Sequence, residues 1–316
     1  MLKVSFVGFR RHSELLRKLF EKQKGVLIYK ILTRSKNNSN TKYKFCSSIE
    51  DLFDSDIIVI SSPTPTHSFY LSKLTNFKGY IFCEKPIVST KNEIEKLLLN
   101  KKINKNYFYT NFNFRFSVFS DLLKKIHYGK KFGKITKLHI HISHSSAYRN
   151  IWRNEWRLKV KSGLGPLETS GIHFIDFAKV NFGKITKIKL NNFSQLNIKN
   201  EIDTSDVYFM AGKTICNFRF SYAESHKVYF LAIFKNGYAE YNGKKFNIYY
   251  PMKNFNKKQK SIAPNLFYIK NIDFYKSWKK SNDKSIKYFF STVLRNKKFY
   301  NFDHDLKIMK PFLYNE

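Results

Sequence analysis

Residues 79–88 read GYIFCEKPIV, so an apolar run ends in an acid, a base and a proline. If the run is a buried strand, Glu84 and Lys85 emerge at its carboxyl end, which is the edge where parallel sheets bind ligands. An ammonium group beside a bound ligand can hold or polarise a hydroxyl group. The alternative is that Lys85 is one more exposed lysine in a lysine-rich chain.

A second candidate lies in the segment LETSGIHFIDFAKVNFG, which predicts a helix that ends at Gly183. His173 lies in this segment, and an imidazole near neutral pH can accept the proton of a hydroxyl group. Asp176 follows three residues later on the same helical face, where it can orient the imidazole. The alternative is a core histidine on an amphipathic helix.

The opening segment VGFRRHSELL predicts a turn at Gly8 into a helix whose amino end can face a phosphate. A dinucleotide fingerprint has the form GxGxxG, but Arg10 and Ser13 replace the second and third glycines. Arg10 and Arg11 can contact phosphate by charge, although an arginine side chain crowds the close backbone approach that glycine permits.

Two further strand ends carry polar residues. No acid follows the second strand, where NAD-specific sites usually place one, and Thr33, Arg34 and Ser35 suit the extra phosphate of NADP instead. An ordinary exposed arginine is the alternative. The segment DIIVISSPTPTHSFY predicts that a loop passes beside the cofactor and that His67 opens the next helix.

The segments VISSPTPTHSFYLSKL, IFCEKPIVST, NFRFS, GKITKLHI and GPLETSGIHFID, in this order, resemble the Gfo/Idh/MocA family of NAD(P)-dependent oxidoreductases over nearly the whole chain. The resemblance implies a Rossmann domain, a second domain with a large open sheet often used for oligomerisation, and a substrate held between them. It implies that Lys85 lies between nicotinamide and substrate. The cofactor is then NADP or NAD, with NADP favoured, and the predicted cofactor-binding residues are Gly8, Arg10, Arg11, Thr33, Arg34, Ser35, Ser61, Ser62, Pro63, Thr64, His67, Glu84 and Lys85.

One departure from the family pattern bears on catalysis. The family commonly has aspartate four residues before the histidine, and here that position is Thr169. Glu168 is adjacent, but one residue corresponds to a rotation of about 100° around a helix, so Glu168 cannot simply substitute. The predicted catalytic residues are Lys85, His173 and Asp176. A catalytically silent relative that binds a dinucleotide or sugar as a sensor or scaffold is the alternative function.

Two arginine- and aromatic-containing segments, NFNFRF and YRNIWRNEWR, predict a substrate pocket. Planar guanidinium groups and aromatic rings suit a phosphorylated or nucleotide-linked sugar, although a packing loop between domains or subunits is the alternative. The predicted substrate-binding residues are Lys85, Asn113, Arg115, Arg153, Trp156, Arg157, Thr169 and His173. The substrate is expected to be a sugar, cyclitol or nucleotide sugar.

The element pattern predicts an α/β fold with two domains. Short apolar runs alternate with helical segments in the first third, which favours a doubly wound parallel sheet in a Rossmann domain over residues 1–117. Longer, partly alternating strands with turns at Asn236–Gly237 and Asn242–Gly243 predict a large, mostly antiparallel open sheet in an α+β domain over residues 118–316. A final helix is predicted at SIKYFFSTVLRNKK, which can pack on the first domain, and residues 251–284 receive no assignment.

The amino-acid composition indicates which classes of binding partner to expect. The net charge is +35, but only ten of the 58 basic residues are arginine, and the chain is rich in residues with A- and T-rich codons. We therefore expect a field that favours small anionic substrates and no nucleic-acid partner. The three cysteines are far apart and form no CxxC pair, so we expect no disulfide frame. The histidines of the HIHISH segment have no carboxylate or thiolate at a matching spacing, so we expect no metal site. We expect a cytoplasmic protein with no membrane contact that forms a dimer or tetramer through the second sheet.

Overall fold

A computed structural model describes residues 1–34, 42–149, 165–198, 201–250 and 254–313. The chain divides into two compact units, of which the first comprises residues 1–112 and 282–316 and the second residues 113–281. The sequence places the division after residue 117, and the compact units divide after residue 112. No helix in the described ranges combines the length and apolarity needed to cross a membrane.

The first unit contains a parallel sheet of six short strands in the order β3-β2-β1-β4-β5-β6. Its strands are β1 Leu2–Val7, β2 Val26–Leu32, β3 Lys44–Cys46, β4 Ile57–Ile60, β5 Tyr80–Cys83 and β6 Phe108–Thr110. This order, with its reversal between β1 and β4, is that of a Rossmann domain, and it confirms the doubly wound sheet predicted from the continuous apolar runs.

Helices complete the first unit. They are α1 Arg11–Glu21, α2 His67–Lys73 and α3 Lys91–Leu99 near the amino end, and α7 Phe302–Leu306 near the carboxyl end. The apolar core joins Phe6, Phe20 and Phe82 to Phe289 and Phe299, so residues of the chain's last part complete the core of its first part. The spacing of Thr90 and Glu93 predicts a capping box at the start of α3, and the structure confirms it: Thr90 Oγ1 accepts from Glu93 N at 3.2 Å, and the Glu93 carboxylate accepts from Thr90 N at 3.1 Å.

The alternation of strand and helix segments in the first third predicts a helix at SIEDLF, and this prediction is wrong. The segment SIEDLF forms only a 3₁₀ turn over Glu50–Leu52. Ser48 Oγ and Glu50 Oε2 lie 2.5 Å apart, and Ser48 Oγ also accepts from the backbone N–H of Glu50 at 3.1 Å. These local bonds close a tight turn, and only Leu52 of its three residues is buried, which is too little apolar surface to hold a longer helix.

The second unit contains an eight-stranded sheet in the order β14-β13-β12-β11-β7-β10-β9-β8. Only β7 and β10 pair in parallel, which confirms the predicted mostly antiparallel sheet. The strands are β7 Ile135–Ser143, β8 Ile185–Phe193, β9 Thr204–Ala211, β10 Thr214–Ser221, β11 Lys227–Phe234, β12 Gly237–Tyr241, β13 Lys245–Tyr249 and β14 Leu266–Asn271. The helices are α4 Val118–Tyr128, α5 Ile172–Phe182 and α6 Phe274–Val293, whose residues from 282 onward belong to the first unit.

Aromatic packing fixes α4 and α5 against one face of this sheet. The ring centroids of Phe119 and Phe230 lie 4.9 Å apart, and those of Phe174 and Phe220 lie 5.8 Å apart. A π-helical turn over Leu167–Gly171 leads into α5. A Cβ atom at Gly171 would come within 2.8 Å of the Phe220 ring, so the glycine lets this turn approach the sheet closely. Helix α5 ends at Gly183, as predicted.

Candidate active site

The turn from β1 into α1 is built around Gly8. Its φ angle is +109°, and an added Cβ would lie 2.9 Å from the backbone nitrogen of Ser62. Gly8 N donates to Leu32 O at 2.9 Å, and Ser61 N donates to Val7 O at 2.9 Å. The backbones that follow β1, β2 and β4 therefore meet at the carboxyl edge of the sheet, and this contact requires glycine at position 8.

The side chains of Ser13 and Arg17 stabilise this turn on its buried side. Ser13 Oγ donates to Gly8 O at 2.7 Å and accepts from Arg17 Nη1 at 2.9 Å, and both side chains are buried. Arg10 and Arg11 at the amino end of α1 are exposed, and no side chain caps the helix there. The first backbone N–H groups of α1 and two guanidinium groups are thus available to an anion at this edge.

The loop after β4 contains Ser61, Ser62, Pro63 and Thr64 and leads into α2 at His67. The His67 ring is 1% exposed, and its nitrogens lie 2.8 Å from Pro86 O and 2.8 Å from Ser62 O. Burial lowers the pKa of His67, against the opposing effect of these backbone contacts. His67 therefore links the loop after β4 to the turn after β5.

Glu84 and Lys85 follow β5 directly, as predicted, and the peptide bond between Lys85 and Pro86 is cis. Glu84 is buried, and its Oε1 lies 2.7 Å from Asn111 Nδ2 and 3.1 Å from His12 Nε2. Burial raises the pKa of Glu84, but His12, Asn111 and Lys85 together outweigh it, so the pKa lies below its ordinary value. The ammonium-bearing turn is thus anchored by an ionised carboxylate.

The remaining residues predicted to bind the cofactor lie at the end of β2 or outside the described residues. Thr33 and Arg34 follow β2 at the same edge of the sheet, and Arg34 is exposed. Ser35 lies outside the described residues. The edge therefore carries glycine, hydroxyl, arginine and lysine groups from four strand ends, which is a suitable set for a dinucleotide with two phosphates and two riboses.

In the second unit, His173 lies on the first turn of α5 and is 3% exposed. Its ring meets the Trp278 ring edge to face, with centroids 4.8 Å apart and an interplanar angle of 89°. Asp176 was predicted to orient this imidazole. In the structure both of its carboxylate oxygens accept hydrogen bonds from Arg115, at 2.8 Å from Nε and 2.6 Å from Nη2. The orienting role of Asp176 therefore stays a prediction.

Thr169 stands one turn before His173, where the family pattern has aspartate. Its hydroxyl group donates to Gly165 O at 3.2 Å and contacts the hydroxyl group of Tyr222. Asn113 Nδ2 donates to Ser281 Oγ at 3.0 Å. The segment YRNIWRNEWR, with Arg153, Trp156 and Arg157, lies outside the residues whose side chains are described.

Lys85 belongs to the first unit and His173 to the second, so their meeting across a substrate stays a prediction. Four neighbours of predicted site residues are absent from the sequence-based predictions, namely His12, Asn111, Tyr222 and Trp278. A signal existed for Asn111, because it directly follows β6 at the same edge as Lys85. Tyr222 and Trp278 come from distant parts of the chain, and no local pattern marks them.

Comparison with known proteins supports a dinucleotide site at the carboxyl edge of the first sheet. Residues 2–112 match the Gfo/Idh/MocA family model, described as an oxidoreductase family with an NAD-binding Rossmann fold. No curated protein matches the sequence. Among solved structures, myo-inositol 2-dehydrogenase from Lactobacillus plantarum is 19% identical with a TM-score of 0.75, and the match covers 98% of this chain and 94% of that one.

Two further structures share the fold. Levoglucosan dehydrogenase in complex with NADH and levoglucosan is 14% identical with a TM-score of 0.77, over 97% of this chain and 94% of that one. UDP-N-acetylglucosamine 3-dehydrogenase from Acidithiobacillus ferrooxidans is 11% identical with a TM-score of 0.71, over 98% of this chain and 95% of that one. At these identities the likeness shows the fold alone, and it confirms the predicted fold class.

Proposed function

We propose that the protein transfers hydride between a nicotinamide cofactor and a small carbohydrate, because residues 2–112 match the model of the Gfo/Idh/MocA oxidoreductase family with its NAD-binding Rossmann fold. The reacting carbon is a carbinol or carbonyl carbon of a sugar, cyclitol or nucleotide sugar. The observation that carries the proposal is the Glu84–Lys85 turn at the carboxyl end of β5, within the matched domain. The names of the structurally similar dehydrogenases support this substrate class.

The carboxyl edge of the first sheet fits the cofactor. Gly8 leaves a space that any Cβ would fill, and the amino end of α1 with Arg10 and Arg11 would hold the two phosphates. The loop Ser61–Thr64 would pass beside the cofactor, with its path fixed by His67. When bound, the nicotinamide ring supplies the acceptor or donor of the hydride.

The chain's own residues would carry the proton and orient the substrate. Lys85 would hold the substrate hydroxyl, so that the carbinol C–H bond points to the cofactor. As that bond breaks and the hydride leaves, His173 would accept the hydroxyl proton and the C–O bond would become a carbonyl. In the reverse direction His173 would return the proton to the oxygen. The contact with Trp278 restricts the ring plane of His173.

Titration with NADH and NADPH, followed by fluorescence, tests the proposal. We expect saturable binding of at least one dinucleotide. Lys85→Ala and His173→Ala should each lower turnover of the identified sugar by about a hundredfold or more, since general acid–base groups contribute about 10²–10⁴ in rate. Cofactor affinity should stay close to the wild-type value in both variants. Absence of binding, or full turnover by both variants, contradicts the proposal.

A catalytically silent relative is the second candidate, and Thr169 favours it. Its hydroxyl group is engaged by Gly165 O and the Tyr222 hydroxyl group, so no carboxylate supports His173 from this position. Under this alternative the protein binds a dinucleotide or a sugar as a sensor or scaffold. Saturable cofactor binding without turnover of any sugar, cyclitol or nucleotide sugar would favour it.

We further propose that NADPH binds more tightly than NADH, because Arg34 is exposed directly after β2 and can contact the extra phosphate. A charge-assisted hydrogen bond contributes about 1.5–3 kcal/mol, so Arg34→Asp should reduce the preference by about tenfold or more. Arg295→Asp makes the same charge change at another exposed arginine of the first unit and should leave the ratio unchanged. An equal ratio in the wild type and Arg34→Asp contradicts the role of Arg34.

We also propose a cytoplasmic homo-oligomer, a dimer or tetramer, that assembles through the sheet of the second unit. Light scattering of the purified protein at several concentrations measures the molecular mass of the assembly and therefore the number of subunits. A monomer at every concentration would contradict the proposed assembly.

A further inference from the structure

A chain of buried hydrogen bonds runs through the first unit and ends on Glu84. Ser285 Oγ donates to Asn111 Oδ1 at 2.7 Å, and Asn111 Nδ2 donates to Glu84 Oε1 at 2.7 Å. Because the Ser285 hydroxyl proton is used toward Asn111, Tyr109 is the donor in its 2.6 Å contact with Ser285 Oγ. None of the four side chains is more than 7% exposed.

The direction of this chain requires an acceptor at its end. Each donor proton points toward Glu84, so Glu84 Oε1 is the acceptor that ends the chain. Asn111 Nδ2 also lies 3.3 Å from Asn282 Oδ1, a weaker contact to the same helix that carries Ser285. The amide of Asn111 is therefore the link between α6 and the turn that contains Lys85.

The same carboxylate reaches the phosphate side of the proposed cofactor site. Glu84 Oε1 lies 3.1 Å from Nε2 of His12, which is the second residue of α1. Asn111 is itself fixed by its backbone, because Asn111 N donates to Cys83 O at 2.9 Å. One buried amide thus holds the carboxylate on which two segments converge, the first turn of α1 and the turn after β5.

We propose that Asn111 is a positioning residue of the cofactor site, a role that rests on the proposed function. It holds the Glu84 carboxylate and thereby fixes the Lys85 turn and the first turn of α1 relative to each other. Asn111 touches neither substrate nor cofactor in this role. Its loss therefore acts on cofactor affinity and on turnover through Glu84.

The variant Asn111→Asp tests this role, because it keeps the shape of the side chain and replaces the Nδ2 donor with a second carboxyl group. Two carboxylates within hydrogen-bond distance cannot both ionise without strong repulsion, whereas one shared proton restores the bond. We expect the Kd for NADH, relative to wild type at the same pH, to rise about tenfold or more at pH 8. The Kd should return toward the wild-type value as the pH is lowered to 5.

Matched variants separate positioning from general loss of structure. Asn111→Leu removes the donor without adding a titrating group, so its loss of affinity should be equal at pH 8 and pH 5. Asn247→Asp introduces a carboxyl group at a buried asparagine of β13 in the second unit, and its Kd should equal that of wild type at both pH values. If Asn111→Asp does not fold, Ser285→Ala removes the preceding donor and should raise the Kd at every pH.

The outcomes distinguish this inference from the proposed function. A wild-type protein that binds neither NADH nor NADPH overturns the proposed function and this role with it. A wild-type protein that binds NADH, together with an Asn111→Asp variant whose relative Kd does not change with pH, overturns this role alone. A wild-type Kd in Ser285→Ala overturns it as well.

Discussion

Ser13 stands where a dinucleotide fingerprint carries its third glycine, yet it has a structural use that glycine lacks. Its hydroxyl group joins Gly8 O to the guanidinium group of Arg17, which is 3% exposed and lies 4.5 Å from the centre of the Phe9 ring. A buried guanidinium group needs such partners, because leaving its donors unsatisfied would cost free energy. The turn after β1 is therefore closed by side chains, and the replaced glycine is no argument against a cofactor at this edge.

The Arg115–Asp176 ion pair is a second residue-scale feature with a measurable consequence. Asp176 is 1% exposed, and both of its carboxylate oxygens accept hydrogen bonds from Arg115. Arg115→Leu leaves the carboxylate buried without this partner, so we expect the free energy of unfolding to fall by about 3–5 kcal/mol. Urea unfolding followed by fluorescence measures the shift.

The double variant Arg115→Leu/Asp176→Leu is the control for this prediction. It removes both charges together, and apolar replacement of a buried ion pair is often neutral or stabilising. We expect it to recover most of the stability that the single variant loses. A single variant as stable as wild type would show that the ion pair is energetically dispensable.

Among the elements, the turn between β1 and α1 has a strict backbone requirement at Gly8. Gly8→Ala places a Cβ 2.9 Å from Ser62 N at a φ angle of +109°, and strain of this kind costs about 1–3 kcal/mol. Because the clash moves the loop after β4, we expect the Kd for NADH to rise about tenfold or more. Isothermal titration measures this Kd.

Gly25→Ala is the matched control for the turn. Gly25 has a φ angle of +76°, but among the described residues no atom beyond its two chain neighbours lies within 4 Å of the added Cβ. We expect a stability loss of about 1 kcal/mol from the backbone conformation and an unchanged Kd for NADH. Equal effects of the two substitutions on the Kd would refute the requirement for close approach at Gly8.

The sequence predicts elements well where burial is apolar and poorly where it is polar or absent. The parallel strands β4 and β5 are continuous apolar runs, and the sequence predicts both of them. Helix α6 begins at Phe274, well before the predicted segment at residue 285, because Ser281, Asn282 and Ser285 occupy its buried face. A buried polar face gives no hydrophobic period.

Strands β3 and β14 are among those that were missed, and the reason is related. All six residues of β14 are exposed, so no alternation of apolar and polar residues is needed there. Strand β3 has only three residues at the edge of its sheet, which is too short for a pattern. The same limit applies to the site, since sequence spacing finds Lys85 after its strand but not the Asn111 amide that holds Glu84.

For the whole molecule, buried and half-buried histidines make the stability depend on pH between neutral and mildly acidic values. Burial is the largest cause that lowers the pKa of His67, His127, His139 and His144 below the ordinary value of 6.5. The unfolded chain therefore binds more protons than the folded chain as the pH falls below 6.5. Their contribution to stability is present above pH 6.5 and is lost as the pH falls toward the folded pKa values.

We therefore expect the urea midpoint to decrease as the pH is lowered from 7.5 to 5.5. The pKa of Glu84 lies below its ordinary value of 4.5, so the stabilising contribution of this carboxylate stays constant over this range. His67→Gln removes the most buried of these imidazoles and should give a lower midpoint at pH 7.5 but a smaller decrease on acidification. A wild-type midpoint that is flat or rises on acidification contradicts the lowered pKa values of these histidines. It would mean that their imidazoles accept protons as readily in the folded chain as in the unfolded chain.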